Sequence, residues 1–522
     1  MKSSLVKFCF LIISCTSVYG QEEANPTYFT DFLYLNKIQI TVTNFGSGLN
    51  FNFWDNEYSR DVLYDYGPFF VSKSDTGIVW AQNAWTTYFT PGSLAGDKPL
   101  RRFLPENTDT FRVYNIQAKD SLFTTRDKTD WPTELGAPTS TANEPLCFAD
   151  GSTFAVYNTA DSNFINRNPQ FALEVQQNIY AYAGNKAGIP LDFLDEVIFI
   201  EYKFINKGNI SFDSAYCGFW TDLDISASRL AVDTASQTGY MWMDYKNKTP
   251  SFDSVNAAAV GFTQLYGPMV ESAGNNAIIS GLVKRDYKNL PLTAYHPVGD
   301  DSYADTFYYG IARKREHAYY MAQGLDKFGR NVKDPLTGNV TKFPLSYNPV
   351  LTENPPNYPQ SGGDGFYLFS GPFNLAPGDT NWVMYAYLPV AAGGPLKSVI
   401  ELKRRALALL SLNYDDYVVK TPMKKIQMPD EPVIPEKFGV YQNYPNPFNS
   451  LTNIRFDLPN DSNVQIRVFN SLGEKVKEIN LGILAAGEKN HTLHLSGASS
   501  GVYFVRIEVQ GASELIKMVY LK

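Results

Sequence analysis

Between Thr421 and Asn449 the chain carries six prolines, Pro422, Pro429, Pro432, Pro435, Pro445 and Pro447. Each fixes φ and lacks an amide donor, so neither a helix interior nor a central strand can run through this stretch. A chain interrupted in this way is expected to fold as two pieces joined by a semi-extended linker. The division predicts a body over residues 21–420, a Pro-rich linker over 421–440 and a tail over 441–522.

The 522 residues exceed what one hydrophobic core serves, so the body itself is expected to hold two β-sandwich-like subdomains. With 34 Tyr and 35 Phe among many Asn, Ser, Thr and Gly residues, the composition suits strands joined by polar turns. The net charge of −8 and the lack of a long basic run exclude nucleic acid as a partner.

The N-terminus has a basic start at Lys2 and Lys7, a short apolar run "FCFLII" and small residues in "SVYG". This reads as a signal peptide over residues 1–20, with Gln21 opening the mature chain. A lipoprotein signal is the alternative, since "IISC" sets Cys15 after a small residue. The run is too short to cross a bilayer, and the sequence offers no later transmembrane segment. Of the cysteines, Cys147 and Cys217 stay in the mature chain. Disulfide pairing and two buried thiols are both open from sequence.

Strand patterns dominate. In the tail, "TNIRFDL" sets Ile454, Phe456 and Leu458 on one face, and "NVQIRVFN" does the same with Val464, Ile466 and Val468. "GVYFVRIEVQG" directs Tyr503, Val505, Ile507 and Val509 inward, and "ELIKMVYLK" supplies a last strand. Short strands at this spacing predict an immunoglobulin-like antiparallel β-sandwich. The body is expected to be mostly β with few helices. "DEVIFIEYKFINKG" breaks at Asn206–Gly208 and resumes as "ISFDSAYCGFWTDLDIS", a long hairpin. A helix near 397–412 carries a predicted apolar stripe of Leu396, Val399, Ile400, Leu407 and Leu410.

Chemistry is sparse in the body. Asp222 and Asp224 sit two apart on a strand and share a face, so with Asp233 they could hold Ca²⁺, the one cofactor this sequence suggests. A solvated strand end explains the same pair. Asp300, Asp301 and Asp305 form an acidic loop open to the same two readings. There is no HExxH, GxSxG, GK[ST] phosphate loop or CxxC, so no catalytic residues are assigned. Seven tryptophans could stack sugars, although most of them are expected in the buried core.

The tail segments "YQNYPNPFNSLTNIRFDLP", "SLGEKV", "SSGVYFVRI" and "KMVYLK", in that order, resemble the type A C-terminal sorting domain of type IX secretion cargo. The matching positions are Pro445, Asn446, Pro447 and Phe448 in the lead-in, then Gly501, Tyr503, Lys517 and Lys522. The resemblance implies recognition by the type IX translocon and its sorting protease. It also implies a destination outside a Gram-negative cell, either secreted or on the outer-membrane surface. The body segments "DWPTELGAP", "CGFWTDLDIS" and "FSGPFNLAPGDTNWVMYAYLPV" resemble a group of large uncharacterised secreted proteins that carry this domain, and no site residues come with that likeness. The expected function is an exported protein whose body is structural, adhesive or ligand-binding, with a surface polysaccharide or another extracellular molecule as partner. A secreted hydrolase acting on polysaccharide is the alternative.

Overall fold

A computed structural model describes residues 30–48, 52–54, 60–83, 88–100, 111–118, 125–160, 171–223, 225, 228–243, 258–298, 311–334, 337–346, 348–349, 365–423, 435–484, 486–495 and 497–521. The expected signal peptide, Asp224, the acidic loop of Asp300, Asp301 and Asp305, Pro429, Pro432 and Lys522 lie outside them. The chain forms two compact units, Met1–Lys425 and Ile426–Lys522, and both are mostly β.

The body is built on two large antiparallel sheets. The first runs in the order Thr30–Tyr34, Ile38–Thr43, Asn52–Trp54, Arg60–Ser74, Phe212–Leu223, Gly365–Leu375, Ala294–Pro297, with Gly77–Gln82 also paired to Arg60–Ser74. The second runs Ser228–Asp233, Thr238–Met243, Ala258–Tyr266, Thr380–Ala391, Ile198–Asn206, Leu173–Ala181, Gly151–Asn158, Thr90–Pro91. Their facing sides meet in a single core. There the Phe219 ring lies 4.5 Å from Phe262 and 4.8 Å from Tyr385, centroid to centroid. Where two sandwich-like subdomains were expected, two sheets share one interior. The reason is connectivity: the strand Ile198–Asn206 belongs to the second sheet and its successor Phe212–Leu223 to the first, so the predicted hairpin is instead a crossing between layers.

Each sheet is also covered on its outer side. Trp220, Tyr367 and Phe369 of the first pack under the helix Arg315–Ala322. Trp242, Met384 and Leu388 of the second pack under the helix Pro395–Leu410. Strands buried on both faces read as near-continuous apolar runs rather than alternations, as "VIFIEYKFI" does. The 395–410 helix differs from expectation in its buried face. Val399, Leu402, Ala406 and Leu409 point inward, while Ile400 and Leu407 are 69% and 48% exposed. Aliphatic residues surround this helix, so periodicity offered two stripes. Its cations settle the choice: Lys403 reaches Asp233 at 3.2 Å and Arg405 reaches Glu196 at 2.7 Å, both on the sheet side.

The tail is a sandwich of a three-stranded sheet (Gly439–Val440, Leu451–Leu458, Gly487–His494) and a four-stranded one (Lys475–Leu484, Ser462–Asn470, Gly501–Val509, Ala512–Tyr520). Ile454, Phe456, Leu458, Val464, Ile466, Val468, Tyr503, Val505 and Ile507 form its core, with Val509 half-buried against it. One solvated face per sheet leaves the alternation intact in sequence.

The Pro-rich stretch is structured at both ends. Lys420–Pro422 pairs with Leu146–Phe148 of the body, and the Met423 amide donates to Pro145 O at 2.8 Å. Gly439 and Val440 pair with Asp457 and Phe456 of the tail. Proline is tolerated in such strands because they are short and lie at an edge.

Candidate functional site

In the tail, the segment Tyr444–Phe448 is clasped to the final strand. Both its X-Pro bonds, Tyr444–Pro445 and Asn446–Pro447, are cis. The Asn443 side chain donates to Pro445 O at 3.1 Å and to the Thr452 hydroxyl at 2.9 Å, and that hydroxyl donates to Pro445 O at 2.8 Å. Asn446 Oδ1 accepts from Val519 N at 2.8 Å, and Phe448 bridges Tyr520 with its ring 5.2 Å away. Lys517 contributes its carbonyl, which accepts from the side chains of Gln442 at 2.7 Å and Asn446 at 3.4 Å. Tyr503 is buried, stands edge-on to Tyr520 at 6.2 Å and donates its hydroxyl to Ser499 O at 2.7 Å. Gly501 opens the same strand. Apart from Lys522, which lies outside the described residues, the residues singled out in sequence meet at one corner of the sandwich, built from the segment Tyr444–Phe448 and the paired strands Gly501–Val509 and Ala512–Tyr520.

In the body, sequence reasoning passed over the outer face of the second sheet. Cross-strand register lays out two polar rungs there. One reads Phe154, Asn178, Glu201, Met384, Tyr266, and the next reads Val156, Gln176, Lys203, Trp382. Directly opposed residues share a face, and diagonal neighbours lie about 7–8 Å apart. Glu201 is buried and accepts hydrogen bonds from the hydroxyls of Tyr266 and, at 3.4 Å, Ser280. Burial raises its pKa, opposed by those hydroxyls and by Lys420 and Lys203. Lys420 donates to Ser280 O at 2.7 Å. Burial lowers the pKa of Lys203, whose ammonium lies 5.5 Å from the Trp382 ring centroid. Gln176 donates to Leu135 O at 2.9 Å and to Glu174 at 3.0 Å. The sequence signal was present: Glu201 and Lys203 interrupt an apolar run two residues apart, and so share a side of the strand.

Asp222 lies buried near the end of Phe212–Leu223, opposite Asp65 on the neighbouring strand. Asp65 accepts from the Ser47 hydroxyl and from the Gly48 and Tyr66 amides, each at 2.8 Å. Asp233 stands apart from this pair in its bonding, taken up by Ser236 and Lys403. Among the described residues no three His, Cys, Asp or Glu side chains gather as a metal site. Glycoside hydrolysis asks for two carboxylates flanking an accessible sugar; Asp65 and Asp222 share a face but are 6% and 4% exposed. Trp131, Trp220 and Trp242 are core, while Trp382 is half-buried. Cys147 and Cys217 are free and buried.

Residues 442–521 match the family described as the secretion system C-terminal sorting domain. The tail is thus a sorting domain, and the chain that carries it is a type IX secretion cargo. No curated protein matches the chain. Among solved structures, a polysaccharide lyase aligns over 96% of this chain and 47% of its own, at 6% identity and a TM-score of 0.24. PorZ, a surface component of the type IX secretion system of Porphyromonas gingivalis, aligns over 94% of this chain and 70% of its own, at 10% identity and a TM-score of 0.13. The chain spans about half the length of the lyase, and neither likeness bears on the body's activity. No helix among the described residues is long and apolar enough to cross a membrane.

Proposed function

We propose that the protein is delivered outside the cell by its tail and that its body works there as a ligand-binding module. The sorting domain indicates export through the type IX system to the surface or the medium. The observation that supports a binding body is the pair of polar rungs on an otherwise apolar sheet face, with Asn178 and Glu201 buried at their base. Polar side chains buried in a sheet face weaken packing unless they serve another purpose. The sorting protease would act on the Pro-rich linker expected over residues 421–440, once the translocon holds the tail.

Export is tested by deleting residues 435–522 in a cell with a working type IX system. The truncated protein is expected to accumulate in the periplasm. Its appearance outside in normal amounts would refute the delivery half of the proposal. The binding half is tested by titrating the purified full chain with a panel of neutral and acidic oligosaccharides: saturable binding of at least one is expected, and no binding of any would refute it.

A further inference from the structure

On the outer side of the first sheet, the helix Arg315–Ala322 and the turns after it present cations to solvent. Phe328 stands among them, 59% exposed. The Lys327 ammonium lies 5.4 Å from the centroid of its ring and the Arg330 guanidinium 5.1 Å, and His317 meets the ring edge-on at 6.1 Å. Lys314 closes the group from the helix side. Burial, and after it the charges of Lys314 and Lys327, lower the His317 pKa, with Glu316 opposing.

The carboxylates of the same segment are engaged elsewhere. Asp326 is fully buried; it accepts from the Phe328 and Arg330 amides at 2.9 and 2.8 Å and fixes Arg330 through Nε at 2.6 Å. Asp334, also buried, accepts from the Thr337 and Leu345 amides at 2.9 and 3.3 Å. Glu316 pairs with Arg315 at 3.2 Å. Among the described residues neither Lys314 nor Lys327 forms an ion pair, and Arg330, its side chain 68% exposed, keeps its Nη edge for a second anion. The whole chain carries −8, so this patch reverses the sign locally and draws anions to one place.

What the patch lacks narrows the partner. Protein interfaces centre on a desolvated apolar core, and a membrane-seated segment needs an apolar face to bury. Phe328 is a single ring flanked by cations, which it holds in place, and it leaves little apolar surface of its own. A hydrated chain of repeating anions fits better. We propose that Lys314, Lys327 and Arg330, arrayed around His317 and Phe328, bind an acidic polysaccharide outside the cell, carboxylate to cation, with no bond made or broken. The site lies on the first sheet, away from the polar rungs of the second, and goes beyond the reading of those rungs.

The test is calorimetric titration of the purified full chain with oligogalacturonate. Maltodextrin of the same length serves as the neutral sugar, and vesicles of equal parts phosphatidylglycerol and phosphatidylcholine as the membrane probe. Oligogalacturonate is expected to bind about tenfold or more tightly than maltodextrin, and Lys314→Gln with Lys327→Gln to weaken it about tenfold, the loss of two exposed ion pairs. Lys288→Gln with Lys397→Gln removes the same charge from the hairpin strand Leu282–Asn289 and the helix Pro395–Leu410, and should leave the affinity within about twofold. Should the first variant fold poorly, the wild-type chain still decides: bound oligogalacturonate protects Lys314 and Lys327 from acetylation, read by mass spectrometry, and leaves Lys288 reactive. No binding of oligogalacturonate, equal binding of maltodextrin, equal losses in the two variants or unprotected Lys314 and Lys327 would each overturn the site. Vesicle binding that depends on Lys314 and Lys327, without saccharide binding, would overturn the class of ligand. Maltodextrin binding indifferent to Lys314→Gln and Lys327→Gln would overturn this site and leave a ligand-binding body in place, whereas no binding of any saccharide would remove both.

Discussion

Asn446 Oδ1 accepts the backbone amide of Val519 at 2.8 Å, joining the residue between two prolines to the last strand of the chain. Phe448 and Val519 add a backbone bond at 2.9 Å, and Leu521 returns one to Phe448 O, also at 2.9 Å. Removing the Asn446 acceptor leaves a strand amide without a partner, at a cost of about 1–2 kcal/mol. Asn446→Ala should therefore raise the hydrogen-exchange rate of the Val519 amide about tenfold or more, measured in the full chain. An unchanged rate would mean the clasp contributes no stability.

Tyr503 separates ring from hydroxyl. Tyr503→Phe loses the bond to Ser499 O and should cost about 0.5–1.5 kcal/mol. Tyr503→Ala also empties the space beside Tyr520 and should cost about 3–5 kcal/mol. Urea unfolding monitored through the tail transition distinguishes the two, and equal losses would contradict a packed ring.

The helix Pro395–Leu410 offers a paired comparison. Leu402 is fully buried against the second sheet, so Leu402→Ala should destabilise the body by about 2–5 kcal/mol. Ile400, 69% exposed, should tolerate Ala within about 0.5 kcal/mol. The reverse order would restore the stripe expected from sequence.

Burial pushes the Asp31 carboxyl up to about 6 from 3.8, and the Asp127 charge adds to this; the Phe32 amide, Asn115 and Arg112 oppose it. The native state thus keeps a proton that the unfolded chain releases. The resulting stability is complete below about pH 3.8 and is lost as pH rises to about 6. The melting temperature of wild type relative to Asp31→Asn should fall across that window and level off above it. A flat difference would show that Asp31 ionises as freely in the fold as outside it.

Burial raises the Cys147 thiol to about 12, against the Ser152 hydrogen bonds, and raises Cys217 further. Thiolate is the reactive form, so both should resist alkylation in the native chain. Without reductant, both should label once the chain is unfolded in denaturant. A denatured chain that takes up label only after reduction would reveal a disulfide.

Legibility from sequence followed solvation. The tail strands were readable because each sheet has one wet face, which kept Ile454, Phe456 and Leu458 in alternation with polar residues. The corner formed by Asn446, Phe448 and Tyr503 was named residue by residue, but its closure against Val519 and Tyr520 was not, since it joins distant segments. In the body, Ile198–Asn206 lies between Leu173–Ala181 and Thr380–Ala391. No local pattern specifies the second neighbour. Glu201 and Lys203 went unnoticed because burial of both strand faces hides a polar rung inside an apolar run. Trp382, by contrast, was among the aromatic candidates, and only the register could set it beside Lys203.

The most direct measurement of the central claim is a transplant. Residues 435–522 are fused behind a signal-peptide-bearing fluorescent reporter and expressed in a cell with a working type IX system. The reporter is expected on the cell surface or in the medium, and in the periplasm when the translocon is inactivated. A reporter retained in the periplasm of the competent cell, while the parent protein is exported beside it, would contradict the claim that the tail alone carries the address.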